Sequence, residues 1–240
     1  MNTKNRRPRC APWSLIALGI IAAGVWLFAV LTGQVIDDDA YCFDVHLMAL
    51  LHQSRAAAAL RTQGWPAEML RDITALGSVF GLTLVTLAVI GFFVIARRWC
   101  MAALVGLGIG GGWLLNTVLK DAIDRPRPDI TPHATQVFTA SFPSSHAMMS
   151  AIVYLTLGAL MSQALPQWSL KAYVLMVAIL LVFLVGTSRV LLGVHWPSDI
   201  LAGWAIGAAW ALAWWLVADA VTGRHQQAVA LRSSSLNREL

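Results

Sequence analysis

The 240-residue chain is 58% hydrophobic and only 12% charged, with a mean hydropathy of +0.67, which excludes an ordinary soluble domain and makes lipid its main solvent. Its net charge of +5 comes from 17 basic against 12 acidic residues scattered between apolar runs, so the clustered basic face that nucleic acid requires is missing. Cys10, Cys42 and Cys100 stand apart, with no CxxC and no histidine at ligand spacing, which argues against a structural zinc site and against a disulfide framework.

In chain order, residues 1–12 carry Lys4, Arg6, Arg7 and Arg9 and lead into an apolar run from Trp13 to Ile36. That run can cross a hydrocarbon core of about 30 Å and is too long for the core of a cleaved signal peptide, so it is predicted to be a first span left in place. Asp37, Asp38 and Asp39 end it. Two amphipathic pieces follow, Asp44–Arg61 and Pro66–Leu76, the first with Leu47, Leu50, Leu51 and Ala58 on its apolar side; both are expected along the membrane surface, as plain connectors or as the walls of a lipid entrance.

Five further spans are predicted over 77–96, 101–119, 146–165, 171–187 and 200–217. Gly106, Gly108, Gly110, Gly111 and Gly112 in the third, and Gly203 and Gly207 in the sixth, have the spacing that lets helix backbones approach closely. The expected architecture is therefore all-α: a six-transmembrane-helix bundle with short amphipathic helices between spans 1 and 2. Residues 1–12 form a basic cytoplasmic N-terminus, 13–218 the membrane domain, and 219–240 a polar tail expected to be disordered.

Six spans put both termini on one side. That side holds Lys4, Arg6, Arg7, Arg9, Arg97, Arg98, Lys171, Arg224, Arg232 and Arg238, against Arg55, Arg61, Arg71, Lys120, Arg125, Arg127 and Arg189 on the other. The positive-inside rule then predicts a cytoplasmic N-terminus.

Most of the hydrophilic chemistry sits in three short clusters, each at the end of an apolar run and all on the outward side: Lys120 to Pro128, Phe142 to His146, and Ser188 to Asp199. Lys120, Arg127 and Arg189 bring three cations to one membrane face, where unpaired charge is costly, so a phosphate or diphosphate head group is the natural complement. Prolines after Arg125 and Arg127 bias both arginines toward extended backbone. Ser144 and Ser145, just before the fourth span, can offer hydroxyls and free helix N–H groups to the same anion. His195 has Asp199 four residues on; a carboxylate there can take one ring N–H and leave the other nitrogen as a nucleophile. Asp121, Asp124 and Asp129 lie among basic residues and are expected to be their solvated partners rather than metal ligands, so neither a metal ion nor another cofactor is expected.

These residues resemble the type 2 phosphatidic acid phosphatase (PAP2) family, in its bacterial membrane branch. The family pattern Lys-x6-Arg-Pro, Pro-Ser-Gly-His and Ser-Arg-x5-His-x3-Asp is met by Lys120, Arg127 and Pro128, by Pro143, Ser144, Ser145 and His146, and by Ser188, Arg189, His195 and Asp199. The departure is Ser145 in place of glycine. The resemblance implies that His195 attacks phosphorus, that Asp199 orients it and that His146 protonates the leaving oxygen. Lys120, Arg127, Ser144 and Arg189, with the Ser145 amide, would hold the phosphate oxygens; Arg125 ranks second because the pattern selects Arg127. The implied function is hydrolysis of a lipid phosphate or polyprenyl diphosphate, with undecaprenyl diphosphate as the leading substrate, at the outer face of a bacterial inner membrane. Alternatives are a phosphotransferase with the same site and a non-catalytic anion-binding protein or transporter; a haloperoxidase is disfavoured because those relatives are soluble.

Overall fold

The structure, a computed structural model, describes residues 12–52, 64–128 and 140–236, the last stretch with side chains only through Val221. All regular structure among these residues is helical. The elements are α1 (Pro12–Ile36), α2 (Ala40–His52), α3 (Trp65–Ala75), α4 (Val79–Ile95), α5 (Trp99–Ala122), α6 (Ser145–Ser150), α7 (Thr156–Ala164), α8 (Trp168–Leu191) and α9 (Pro197–Leu236). A π-helical turn, Ala151–Leu155, joins α6 to α7, so the two make one crossing.

Five stretches are long and apolar enough to span a membrane: Trp13–Ile36, Trp99–Ala122, Ser145–Gln163, Trp168–Leu191 and Pro197–Val221. A sixth candidate is the pair α3 and α4, which together are apolar enough to cross and are bent by 47° at a short break. The amphipathic helices expected between the first two spans are α2 and α3, with α3 serving as the angled start of the second span. Ser78 makes the break by capping α4, its hydroxyl accepting from the Gly81 N–H at 3.1 Å. Residues 53–63, which include Ala58, lie outside the described residues.

On α2 the buried positions are Ala40, Asp44 and Met48, while Leu50, on the apolar side expected to meet the membrane, is 62% exposed. The buried stripe has the expected four-residue spacing, but its phase is set by a carboxylate at Asp44 that mates with buried partners across the bundle.

Lipid is as apolar as leucine, so the bundle cannot be held by hydrophobic burial alone and relies on close packing. Large residues such as Phe80 and Trp168 face outward, each 78% exposed. Inside, glycines admit neighbours: a Cβ on Gly108 would come 2.4 Å from Trp214, and one on Gly112 2.8 Å from Ile152. The Trp210 and Trp214 indoles fill this space and donate to the Gly108 and Leu104 carbonyls at 2.8 and 2.6 Å. α1 packs along α9, α5 beside α4, and α9 against α6 and the π-helical turn.

Candidate active site

The three hydrophilic clusters meet at one end of the bundle, where α5 and α8 finish and α6 and α9 begin. α5 stops at Ala122 and Ile123 is extended (φ −131°, ψ 97°), and the prolines at 126 and 128 keep Arg125 and Arg127 from resuming a helix. Lys120, in the last turn, donates to the Ala140 carbonyl at 2.7 Å. Beyond the helix the two arginines part. Arg127 donates to the Val194 carbonyl at 2.8 Å and lies 3.1 Å from His195 Nε2. Arg125 turns the other way, to Asp199 Oδ1 at 2.6 Å and Asp44 Oδ2 at 2.7 Å, with its guanidinium 5.6 Å from the Trp196 ring centroid.

α6 begins with Ser144, whose backbone N–H donates to the Asp199 carbonyl at 3.2 Å. The Ser144 hydroxyl is buried and has no hydrogen-bond partner among the described residues; nor has Arg189 Nε. Two buried polar atoms left open at the edge of a cationic pocket are costly unless a ligand completes them. Gly203 and Gly207 hold this helix start against α9: a Cβ at 207 would sit 2.7 Å from the Met148 carbonyl oxygen, and one at 203 3.1 Å from that of Ser144. The second glycine pair therefore fixes the site as well as the bundle.

Ser145, in the place of the family glycine, is turned toward α5, where its hydroxyl accepts from Asn116 Nδ2 at 3.1 Å. That leaves the backbone of the first turn unobstructed by the extra side chain. His146 follows, half-buried, with no hydrogen bond among the described residues; its ring edge lies against Gly77.

α8 delivers Arg189, buried and donating to the Thr74 hydroxyl at 3.2 Å. Gly193 then takes a left-handed conformation (φ 71°), the region that favours glycine, and the chain turns into His195 and the start of α9. Asp199 lies three residues into this helix end and accepts from the Trp196 N–H at 3.0 Å, the reciprocal half of a capping box. It also accepts from the Ser141 hydroxyl and faces His195 Nδ1 at 3.3 Å.

These contacts assign the His195 tautomer. A guanidinium only donates, so Nε2 beside Arg127 presents its lone pair and Nδ1 carries the proton toward Asp199. Burial, opposed by the hydrogen bond and charge of Asp199, lowers the His195 pKa to about 4. The imidazole is neutral at physiological pH. Burial also lowers the Arg127 pKa from its ordinary value, with Asp199 opposing, and a guanidinium so basic stays cationic.

His195, Asp199, Arg127, Lys120, Arg189, Ser144, Ser145 and His146 thus gather at one end of the bundle. The sequence reading missed Asp44, Ser141 and Asn116, and gave Arg125 an unspecific place. Arg125 is a clasp between two carboxylates, Asp44 Oδ1 accepts the Ser198 N–H at 2.9 Å, and Trp196 Nε1 ties the loop to the Pro126 carbonyl at 3.0 Å. Of the aspartates expected as solvated partners of the nearby basic residues, neither Asp121 nor Asp124 pairs with Arg125, which takes Asp44 and Asp199. Asp129 lies outside the described residues.

The PAP2 superfamily model matches residues 99–222, from the first turn of α5 into α9. The chain is 40% identical over 156 residues to phosphatidylglycerophosphatase B of Bacillus subtilis, covering 64% of this chain and 75% of that one. It is 32% identical over 145 residues to decaprenylphosphoryl-5-phosphoribose phosphatase of Mycobacterium tuberculosis, covering 59% and 73%. Its fold matches the crystal structure of a transmembrane PAP2 type phosphatidylglycerolphosphate phosphatase from Bacillus subtilis with a TM-score of 0.69 at 31% identity, over 81% of this chain and 93% of that one. With the three motifs converging on one pocket and likeness of this extent, the chain belongs to the PAP2 superfamily.

Proposed function

We propose that this PAP2 phosphatase hydrolyses a lipid phosphate or polyprenyl diphosphate through a phosphohistidine on His195, without a metal ion. The observation that carries the reading is the Nε2 lone pair of a neutral, buried imidazole, fixed from behind by Asp199 and facing Arg127. Nε2 attacks phosphorus as the bond to the leaving oxygen breaks, and His146 gives that oxygen a proton. Asp199 stabilises the cationic ring that results. His146, now neutral, takes a proton from water, which attacks the N–P bond and releases phosphate with His195 restored. Lys120, Arg127, Arg189 and Ser144, with the Ser145 N–H, balance the oxygens in the transition state, the task metal ions perform in other phosphoryl-transfer enzymes.

The names of the two relatives support a lipid substrate. Phosphatidylglycerol phosphate comes first because the 40% relative is named for that activity, with undecaprenyl diphosphate next because a relative 38% identical over 68 residues is named an undecaprenyl-diphosphatase. The surplus of basic residues at the other membrane face supports cytoplasmic termini and a site facing outward from a bacterial inner membrane. Purified protein should release phosphate from one or more of these lipids in excess EDTA. Loss of activity on chelation with recovery on adding Mg²⁺ would overturn the mechanism, and label passed to an added lipid acceptor without phosphate release would make the enzyme a transferase.

A further inference from the structure

At the end of the bundle opposite the catalytic pocket, a cavity of about 530 Å³ opens between α4, α5 and α7. Phe93, Met101, Leu160, Met161 and Leu165 are among its walls, and Arg98 is the one charged residue among the described residues that line it. The 24 residues of α5 separate Arg98 from the catalytic end by about 36 Å, so one bound molecule cannot occupy both places.

The corner beside this cavity is fixed. α4 ends with Arg97 in a left-handed conformation (φ 56°), its N–H donating to the Val94 carbonyl at 3.0 Å and the Arg98 N–H to that of Phe93 at 2.8 Å. This is the helix ending usually given to glycine. It sets two consecutive arginines at the start of α5, whose first-turn N–H groups add partial positive charge.

We infer that this cavity binds an anionic phospholipid, with hydrocarbon chain against the apolar walls and head-group phosphate on Arg98. The volume falls in the range of built ligand sites, and an apolar wall with one exposed cation at the turn between α4 and α5 complements an anionic amphiphile rather than a wholly apolar or a zwitterionic one. The inference goes beyond the phosphatase reading and does not depend on it, because none of these residues belongs to the catalytic pocket.

Native mass spectrometry of the purified protein, loaded with phosphatidylglycerol or with phosphatidylcholine of the same chains, tests it. The wild type should retain phosphatidylglycerol preferentially, and Arg98→Ala should cut that preference roughly five-fold, the effect of one arginine on an anionic lipid surface. Met161→Trp, a substitution at an exposed lining position, should reduce retention of both lipids by filling the mouth. Hydrolysis of a water-soluble phosphate, unchanged in both variants, reports that the bundle is intact. Equal retention of the two lipids by the wild type, or no change in Arg98→Ala, would overturn the inference. So would loss of the lipid in Arg127→Ala alone, which would put it in the catalytic pocket, or a dimer broken by Met161→Trp with no lipid held.

Discussion

The two histidines sit in opposite kinds of surroundings. His195 is buried, held by Asp199 on one nitrogen and faced by Arg127 on the other; His146 rides on the first turn of a helix and makes no hydrogen bond among the described residues. A nucleophile must aim one lone pair at phosphorus every time, whereas a proton donor must find an oxygen that arrives with the substrate. The contrast in restraint matches the contrast in proposed roles, and each substitution below either widens or collapses it.

The largest effect is expected at His195. His195→Ala should abolish turnover with lipid and aryl substrates alike, because no other imidazole in the pocket has a carboxylate behind it. Measurable turnover on an activated aryl phosphate would move the nucleophile elsewhere.

His146→Ala should lower lipid hydrolysis by about 10²–10⁴-fold, the usual contribution of general acid catalysis. The loss in the phosphoryl-transfer step should shrink for an aryl phosphate whose leaving group needs no proton, and the initial burst of leaving group released from each substrate measures this difference. Equal losses would erase the distinction between the two residues.

Arg125→Ala touches neither histidine. It should lower kcat by about 10–100-fold, the scale expected for an outer partner of a working residue, with Arg125→Lys partly restoring it. The accompanying pH profile separates positioning from mere folding. With Arg125 removed, the Asp199 charge is less neutralised and favours the imidazolium, so the acid limb should move to higher pH. An unmoved limb with a poorly folded protein would make Arg125 structural only.

In the wild type that limb is expected near the His195 pKa of about 4. Above it the ring is neutral and Nε2 can attack; below it the proton occupies the lone pair, and kcat/KM should fall about tenfold per pH unit. A limb near pH 6.5 would mean that burial does not govern this ring.

What was legible in the sequence follows from the same contrast. His195 and Asp199 are one helical turn apart, and Ser144 to His146 are consecutive, so short-range spacing carried their geometry. Lys120 was legible as a cation closing an apolar run, and Arg127 because the proline after it holds its backbone out of a helix. Asp44 was not, since its partners are 81 and 154 residues away, and on α2 alone it reads as the polar edge of an amphipathic helix. Arg125 was visible as a basic residue, but only the fold reveals that it clasps two carboxylates. The bend at Gly77 and Ser78 was anticipated as the start of a span, while the joining of α3 to it depends on packing against α8 that no local pattern encodes.

The central claim is a covalent phosphate on His195 Nε2. It is tested most directly by quenching the enzyme during turnover of a radiolabelled lipid phosphate with alkaline detergent, digesting it at alkaline pH and mapping the label. The account predicts acid-labile, alkali-stable label on the peptide containing His195, absent in His195→Ala and accumulating in His146→Ala with an aryl phosphate, where formation needs no proton donor but hydrolysis lacks its base. Label on the His146 peptide, or turnover with no label trapped under any condition, would contradict it.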